Sequence, residues 1–472
     1  MHAKVMCKQW REDRPLKALG FGYRGINVFT VLVVLLAAAC GNDQGTTVHA
    51  ALGDDGAAVT DGSRAVMAGD RGTTDPVTAV DRDDHPPSVN ADPPPTGAVL
   101  EFMTYLGGSG YDQARDVAVD AEGNMYVVGG TRSRDFPATT NLVRSGTPES
   151  SAIHDYDVFV VKYDPAGSVV WSTLLGGPNY ERAYGVEVDS KGDVYIGGRA
   201  GAGFPVTKGA AQTAFMGGQE AAHYGGQDGF VAKLSADGST ILWASYFGTN
   251  DFRIIRDIDI DAAGNVYVGA GYHGPATAPG WRSWFSGGAK RMPPGWNSWF
   301  SGTVQSAPGG GHDAVVAKIR ADGAQVLWAT YLGGSSNDSF DTGSEPSVRV
   351  DSSGNVVVAI GAGPGLATTA DAYNTAYNGG SADIYIARIR ADGGALLFGT
   401  YLGTDAADNP QGAHSLALDA MDQVYVAGYT RSSNFHTTPS AVLRSPFGDS
   451  PVYGLVVQFS ADGSRVIAST YI

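Results

Sequence analysis

Short runs of alternating apolar and polar residues, separated by glycine-bearing turns, recur along most of the chain. Val117-Ala118-Val119-Asp120 leads into Ala121-Glu122-Gly123-Asn124 and then Met125-Tyr126-Val127-Val128-Gly129. Two β-branched and aromatic runs around an Asp-x-x-Gly-Asn turn predict a hairpin. Asp157 to Tyr163, followed by Asp164-Pro165-Ala166-Gly167 and Val169 to Leu174, predicts a second. Two hairpins in succession make a four-stranded antiparallel sheet.

The same grammar returns four more times. A Leu-Gly-Gly-like marker follows an aromatic strand at Leu106, Leu175, Phe247, Leu332 and Leu402, with Ile472 in the same position at the end; the spacings are 69, 72, 85, 70 and 70 residues. The long interval contains a tandem duplication offset by 15 residues, Pro279 to Gly287 returning as Pro294 to Gly302. Without it the interval becomes ordinary, so the extra length is a loop insertion. The first turn recurs at Asp189, Asp261, Asp351 and Asp419, and the second as Ala-Asp-Gly at 236–238, 321–323, 391–393 and 461–463. The last strand of each unit holds a large side chain at one register: Phe102, Trp171, Trp243, Trp328 and Phe398, then Ala468. A fixed period on this scale marks a repeat architecture, because one unit cannot bury its apolar face alone. The expected fold is all-β: a β-propeller of five four-stranded antiparallel blades over residues 98–472. The aromatic strand occurs both before the first unit (Val99 to Tyr105) and after the last (Val466 to Ile472), one strand more than five blades need. One of the two is therefore expected to complete a blade built from both ends of the chain.

Residues 98–472 resemble the bacterial β-propeller repeat family abbreviated SBBP. The likeness is carried by Tyr105-Leu106-Gly107-Gly108, the Val-Asp-x-x-Gly-Asn-x-Tyr-Val hairpin, Gly130-Thr131-Arg132-Ser133-Arg134-Asp135-Phe136-Pro137 and Asp157 to Lys162. The resemblance implies an exported or cell-surface protein and assigns no reaction.

The N-terminal residues read differently. A basic leader (Lys4, Lys8, Arg11, Arg14, Lys17, Arg24) precedes an apolar run from Val28 to Ala39 and then Cys40. That run is shorter than the ~20 residues a bilayer span needs, and it fits a signal-peptide core over residues 1–39. Ala37-Ala38-Ala39 before Cys40 resembles a bacterial lipobox, which implies lipidation of Cys40 and a mature N-terminus there. Residues 40–97 are rich in Asp, Gly and Pro and carry no aromatic side chain. Such a segment cannot bury enough apolar surface to offset its conformational entropy, so it reads as a disordered tether. Cys7 and Cys40 are the only cysteines, so no disulfide is expected within the repeats. A net charge of −16 with no basic stripe argues against a nucleic-acid partner.

Three sets of residues carry candidate chemistry. A carboxylate lies six residues after the marker in four units, Asp112, Glu181, Asp338 and Asp408. Its recurrence argues first for capping or stabilising the turns, and the alternative is a candidate acidic collar at the channel mouth that would accommodate a bound cation. Asp157, Asp228, Asp313 and Asp383 each precede Lys162, Lys233, Lys318 and Arg388 by five residues, a structural pattern. Trp281, Trp284, Phe285, Trp296, Trp299 and Phe300 crowd the duplicated loop beside Lys290-Arg291, a candidate ligand-binding surface if exposed, or a local core if the rings fold back onto the propeller face. No catalytic residue, metal ligand set or cofactor motif is expected. The expected function is that of a lipid-anchored monomer, a bacterial outer-membrane or cell-surface lipoprotein that binds a glycan or an envelope protein. The alternatives are a carbohydrate-active hydrolase or lyase using the channel carboxylates, and a purely structural surface protein.

Overall fold

The computed structural model describes residues 3–9, 99–143, 156–217, 226–249, 252–273, 293–310, 312–335, 345–410, 414–448 and 451–472. Five antiparallel sheets follow one another along the chain. Blade 1 comprises Asp112–Val119, Met125–Thr131, Asp157–Tyr163 and Val169–Leu175, with Thr140–Val143 added parallel to its outer strand. Blade 2 comprises Arg182–Val188, Val194–Ala200, Asp228–Leu234 and Ile241–Phe247. Blade 3 comprises Phe252–Ile260, Val266–His273, His312–Ile319 and Val326–Leu332. Blade 4 comprises Ser347–Val350, Val356–Ala362, Asp383–Ile389 and Leu396–Leu402. In blade 5 the inner strand is broken into Asp408–Pro410 and Leu416–Leu418, followed by Val424–Thr430, Tyr453–Phe459 and Val466–Tyr471.

Each blade is thus one continuous stretch of chain, which corrects the expectation that one blade is assembled from both ends. Val466–Tyr471 closes blade 5 by itself. Val99–Leu106 joins none of the five sheets; it pairs antiparallel with Ala3–Gln9, within the expected leader. Cys40 and the expected tether lie outside the described residues.

The aromatic register joins neighbouring blades. Trp171 donates its indole N–H to the carbonyl of Ala236 in the next blade at 3.1 Å, Trp243 to Ala321 at 2.9 Å and Trp328 to Ala391 at 2.9 Å. Each ring lies on the glycine of that Ala-Asp-Gly turn, and Phe102 and Phe398 lie likewise on Gly167 and Gly463. These turn glycines have positive φ (67° at Gly238), which disfavours a side chain even before the ring is met. The first turns are fixed from within. The Asp120 carboxylate accepts backbone N–H bonds from Glu122 and Asn124 and the hydroxyl of Tyr126. Lys233 and Lys318 then reach the matching turn aspartates, Asp189 and Asp261, at 3.1 Å each, so the repeated lysine pairs across strands of its own blade. Blade 5 replaces the pair with Gln458 donating to Tyr425 at 2.7 Å.

Candidate functional site

The candidate acidic collar does not form. Asp112, Glu181 and Asp408 are buried, and their carboxylates accept backbone N–H bonds from the marker loop: Gly108 at 2.8 Å, Gly177 at 3.0 Å and Thr404 at 2.7 Å. Thr131 and Ser133 add hydroxyl donors to Asp112. A carboxylate four residues beyond a loop N–H satisfies a donor that burial would otherwise strand. These residues tie loops rather than present charge to a ligand. Asp338 lies outside the described residues, and among the described residues no group of three or more His, Cys, Asp or Glu is placed to hold a metal ion.

Asp157, Asp228, Asp313 and Asp383 are likewise buried. Asp228 accepts the Met216 N–H at 2.6 Å, Asp313 that of Gly309 at 2.8 Å and Asp383 that of Asn378 at 2.6 Å. Burial pushes the Asp313 and Asp383 carboxyls up to about 6.

The duplicated aromatic loop also needs correction. Trp296, Trp299 and Phe300 are buried, on and beside the short helix Trp296–Trp299, and belong to the apolar core joining blades 2 and 3. Trp299 stacks on Phe247 with centroids 5.9 Å apart, and Phe300 on Tyr331 at 4.4 Å. Apolar rings beside an unfilled core edge fold onto it, because hiding them from water outweighs keeping them available. The first copy, Trp281, Trp284 and Phe285, lies outside the described residues.

What the structure does bring together is a set of inward side chains at one register of the inner strands. Arg115, Tyr184 and Arg256 are each skipped in the pairing to the next strand: Ala114 and Asp116 oppose consecutive residues, as do Ala183 with Gly185 and Ile255 with Asp257. Each is therefore a β-bulge, the device by which a strand re-aims one side chain. Tyr184 ends between two guanidinium groups, Arg115 at 5.1 Å and Arg256 at 4.8 Å from its ring centroid. From there a row of alternating cations and rings runs out to the face bearing the long loops. Arg199 lies 5.6 Å from Tyr184 and 4.5 Å from Tyr180. Arg182 lies 5.1 Å from both Tyr180 and Tyr156, and Arg132 lies 5.4 Å from Tyr156. Tyr111, 41% exposed, packs edge-on against Tyr156 at the open end. Arg256 also forms an ion pair with Glu345 at 2.7 Å. Each cation–ring contact contributes about 0.5–2 kcal/mol, rising with desolvation.

Farther in, acids and bases alternate. His414, in the break of the blade 5 inner strand, places Nδ1 3.0 Å from Asp257 and 3.6 Å from Asp116. Its Nε2 lies 2.9 Å from the Tyr184 carbonyl. Arg349 and Ser347 reach Asp257 at 2.9 and 2.8 Å. Burial opposes ionisation of Asp257, but Arg349 and His414 hold its carboxyl well below the usual range. Burial raises Asp259 to about 6, and burial with the neighbouring Asp259 carboxylate raises Glu187 well above an ordinary glutamate. The sequence signal was available: Arg115, Tyr184, Arg256 and His414 each stand five residues before the aspartate of the first turn. They escaped notice because a bulge breaks the period-2 alternation by which inward positions are read.

A set of consecutive four-stranded antiparallel sheets whose inner strands bring their side chains together defines a β-propeller. The family profile described as "Beta-propeller repeat", SBBP, matches residues 101–137 and 170–205, which supports a β-propeller of SBBP type. Among curated proteins, the regulatory protein FlaEY of Caulobacter vibrioides is 25% identical over 180 residues, which cover 38% of this chain and 17% of that protein. Among solved structures, the β-propeller domain of the Trilobed protease from Pyrococcus furiosus, described as having an open velcro topology, matches with a TM-score of 0.31 and 8% identity, over 76% of this chain and 70% of that one. A PL25 ulvan lyase bound to a GlcA-Rha3S ligand matches with a TM-score of 0.33 and 13% identity, over 77% and 72% of the two chains. Likeness at this level says nothing of what the chain binds.

Proposed function

We propose that this protein is an exported, non-catalytic binding module of a bacterial cell envelope that holds an acidic polysaccharide at the loop-face mouth of its channel. The observation that carries the reading is the row Arg132, Tyr156, Arg182, Tyr180, Arg199, Tyr184, flanked by Arg115 and Arg256. Guanidinium planes pair with carboxylate or sulfate oxygens in a fixed fork. The part-exposed Arg132 and the exposed Tyr111 at the open end are the groups a polysaccharide on the loop face would meet, and the buried remainder of the row holds them in place. On a chain of net charge −16, a polyanion finds attraction only where cations are concentrated. The lipobox-like Ala37-Ala38-Ala39-Cys40 supports export and membrane anchoring through an N-terminal lipid.

Catalysis is not part of the reading. A glycosidase needs two unlike carboxyl groups facing the substrate, whereas Asp112, Glu181 and Asp408 are buried and each holds a loop N–H with one carboxylate oxygen. His414 has both ring nitrogens engaged, leaving none to act as a base. The test is a panel of charged and neutral polysaccharides (polygalacturonate, alginate, a sulfated galactan, dextran), scored for retention of the protein and for release of new sugar ends. Retention by acidic polymers alone, without new ends, supports the proposal. New reducing or unsaturated ends would establish the enzymatic alternative, and equal retention by dextran would refute charge recognition. Labelled palmitate incorporated by wild type and not by Cys40→Ser supports the anchor; equal or no incorporation refutes it.

A further inference from the structure

The blades are not joined alike. Apolar clusters bridge blades 1 and 2, 2 and 3, 3 and 4, and 4 and 5. The fifth cluster joins blade 1 only to Phe102 and Leu106 of the preceding strand. Among the described residues, no apolar cluster contains side chains of both blade 5 and blade 1. Tyr126, Tyr195 and Tyr267 are fully buried toward the next blade, whereas their counterpart Tyr425, with Tyr429, Val456 and Ala468, stays half-buried on blade 5.

What spans this seam is polar and centres on His414. The residue adopts φ 66°, a left-handed conformation that costs a non-glycine residue about 1 kcal/mol or more and persists only where surrounding contacts hold it. From blade 5 it reaches the Tyr184 carbonyl of blade 2, Asp257 of blade 3 and Asp116 of blade 1, and Arg349 of blade 4 meets the same Asp257. Blades 1, 2 and 3 thus meet the blade 5 imidazole directly, and blade 4 reaches it through Asp257. A carbonyl oxygen can only accept, so Nε2 carries a hydrogen; Nδ1 faces two carboxylates, so it donates as well. The geometry is that of an imidazolium.

We infer that His414 is the clasp of the ring: charged, it ties blade 5 to blades 1, 2 and 3, and its deprotonation opens the seam between blades 5 and 1. The charged groups acting on it are Asp116 from blade 1, Asp257 from blade 3 and Arg349 from blade 4; Glu187 of blade 2 and Asp259 of blade 3 act on these same groups. Burial disfavours the imidazolium, but Asp116 and Asp257 outweigh it and raise His414 to about 9. The folded protein thus keeps this proton to higher pH than the unfolded chain. The clasp's contribution is complete below the ordinary histidine value of ~6.5 and is lost as pH rises through about 9. Asp259, which titrates near 6, is already ionised over that upper range.

The test uses the full chain with Cys7 and Cys40 changed to serine and spin labels at Val170→Cys on blade 1 and Val442→Cys in the blade 5 loop, both exposed. A control pair, Leu242→Cys with Leu327→Cys, reports on blades 2 and 3, which share an apolar core. Electron-spin distance measurements are expected to give a narrow distribution for the seam pair at pH 7, and a longer, broader one at pH 10, with the control pair unchanged. In His414→Gln the seam pair is expected to be broad at both pH values. A seam distance unchanged between pH 7 and 10, or a narrow one in His414→Gln at pH 7, would overturn the proposal. Should that variant not fold, NMR titration of the wild-type His414 ring decides: a midpoint near 9 that coincides with the distance change supports the clasp, and one below 7 refutes it.

Discussion

The indole ring of Trp171 lies flat against Gly238 of the next blade, where an added Cβ would come within 2.6 Å of it, while its N–H bonds the carbonyl two residues earlier. One side chain thus excludes every other residue at the turn and holds the turn by a hydrogen bond. Gly238→Ala is expected to cost about 2–4 kcal/mol, from the positive φ together with displacement of the ring. Gly209 offers the matched control: φ is 85° there, with nothing within 4 Å of an added Cβ. Gly209→Ala should cost only the backbone preference, about 1 kcal/mol. Urea midpoints of the two variants check this, and equal losses would contradict the ring's role.

Burial of Asp313 predicts a pH dependence with a definite sign. Its carboxyl titrates at about 6 in the folded protein and near the ordinary 3.8 when unfolded, so between these values the native state binds the extra proton. Stability from this group therefore falls as pH rises from about 4 through 6, by up to ~3 kcal/mol. Asp313→Asn keeps an acceptor for the Gly309 N–H without the charge. The variant should melt higher than wild type at pH 8 and lose that advantage at pH 4.5. A constant difference in melting temperature across the range would show that burial does not raise this group.

Because Trp299 stacks on Phe247 inside the core between blades 2 and 3, Trp299→Ala is expected to act on stability alone. Removing a buried indole costs about 3–5 kcal/mol. Thermal unfolding should register the loss, while affinity for an acidic oligosaccharide, measured below the variant's melting range, should match wild type. A variant that melts normally but no longer binds would return Trp299 to the ligand surface.

The repeat made the blades legible, since each hairpin carries its own turn chemistry and each outer strand its aromatic. The carboxylates at Asp112 and Glu181 were legible as turn caps, because a residue repeated from unit to unit argues for a structural role, and they do hold loop N–H groups. Trp296, Trp299 and Phe300 stood out by composition, which cannot say on which side of a blade a ring falls. The inward set Arg115, Tyr184, Arg256 and His414 was hidden for a geometric reason. A bulge shifts the facing of one residue without changing the apolar pattern around it. The chain-end strand Val99–Leu106 was misplaced because strand count alone does not say which sheet a strand joins.

The central claim is that the channel mouth recognises negative charge along a sugar chain. Calorimetric titration of a galacturonate oligomer into wild type and into the Tyr111→Ala/Arg132→Gln double variant tests it most directly. Tyr111 is exposed and Arg132 part-exposed at the row's open end, so their replacement should leave the fold intact. The account predicts saturable binding that weakens at least ~10-fold in the double variant, equivalent to about 1.4 kcal/mol, and weakens in wild type as salt is raised. Equal affinity in the two proteins, or wild-type binding indifferent to salt, would contradict it.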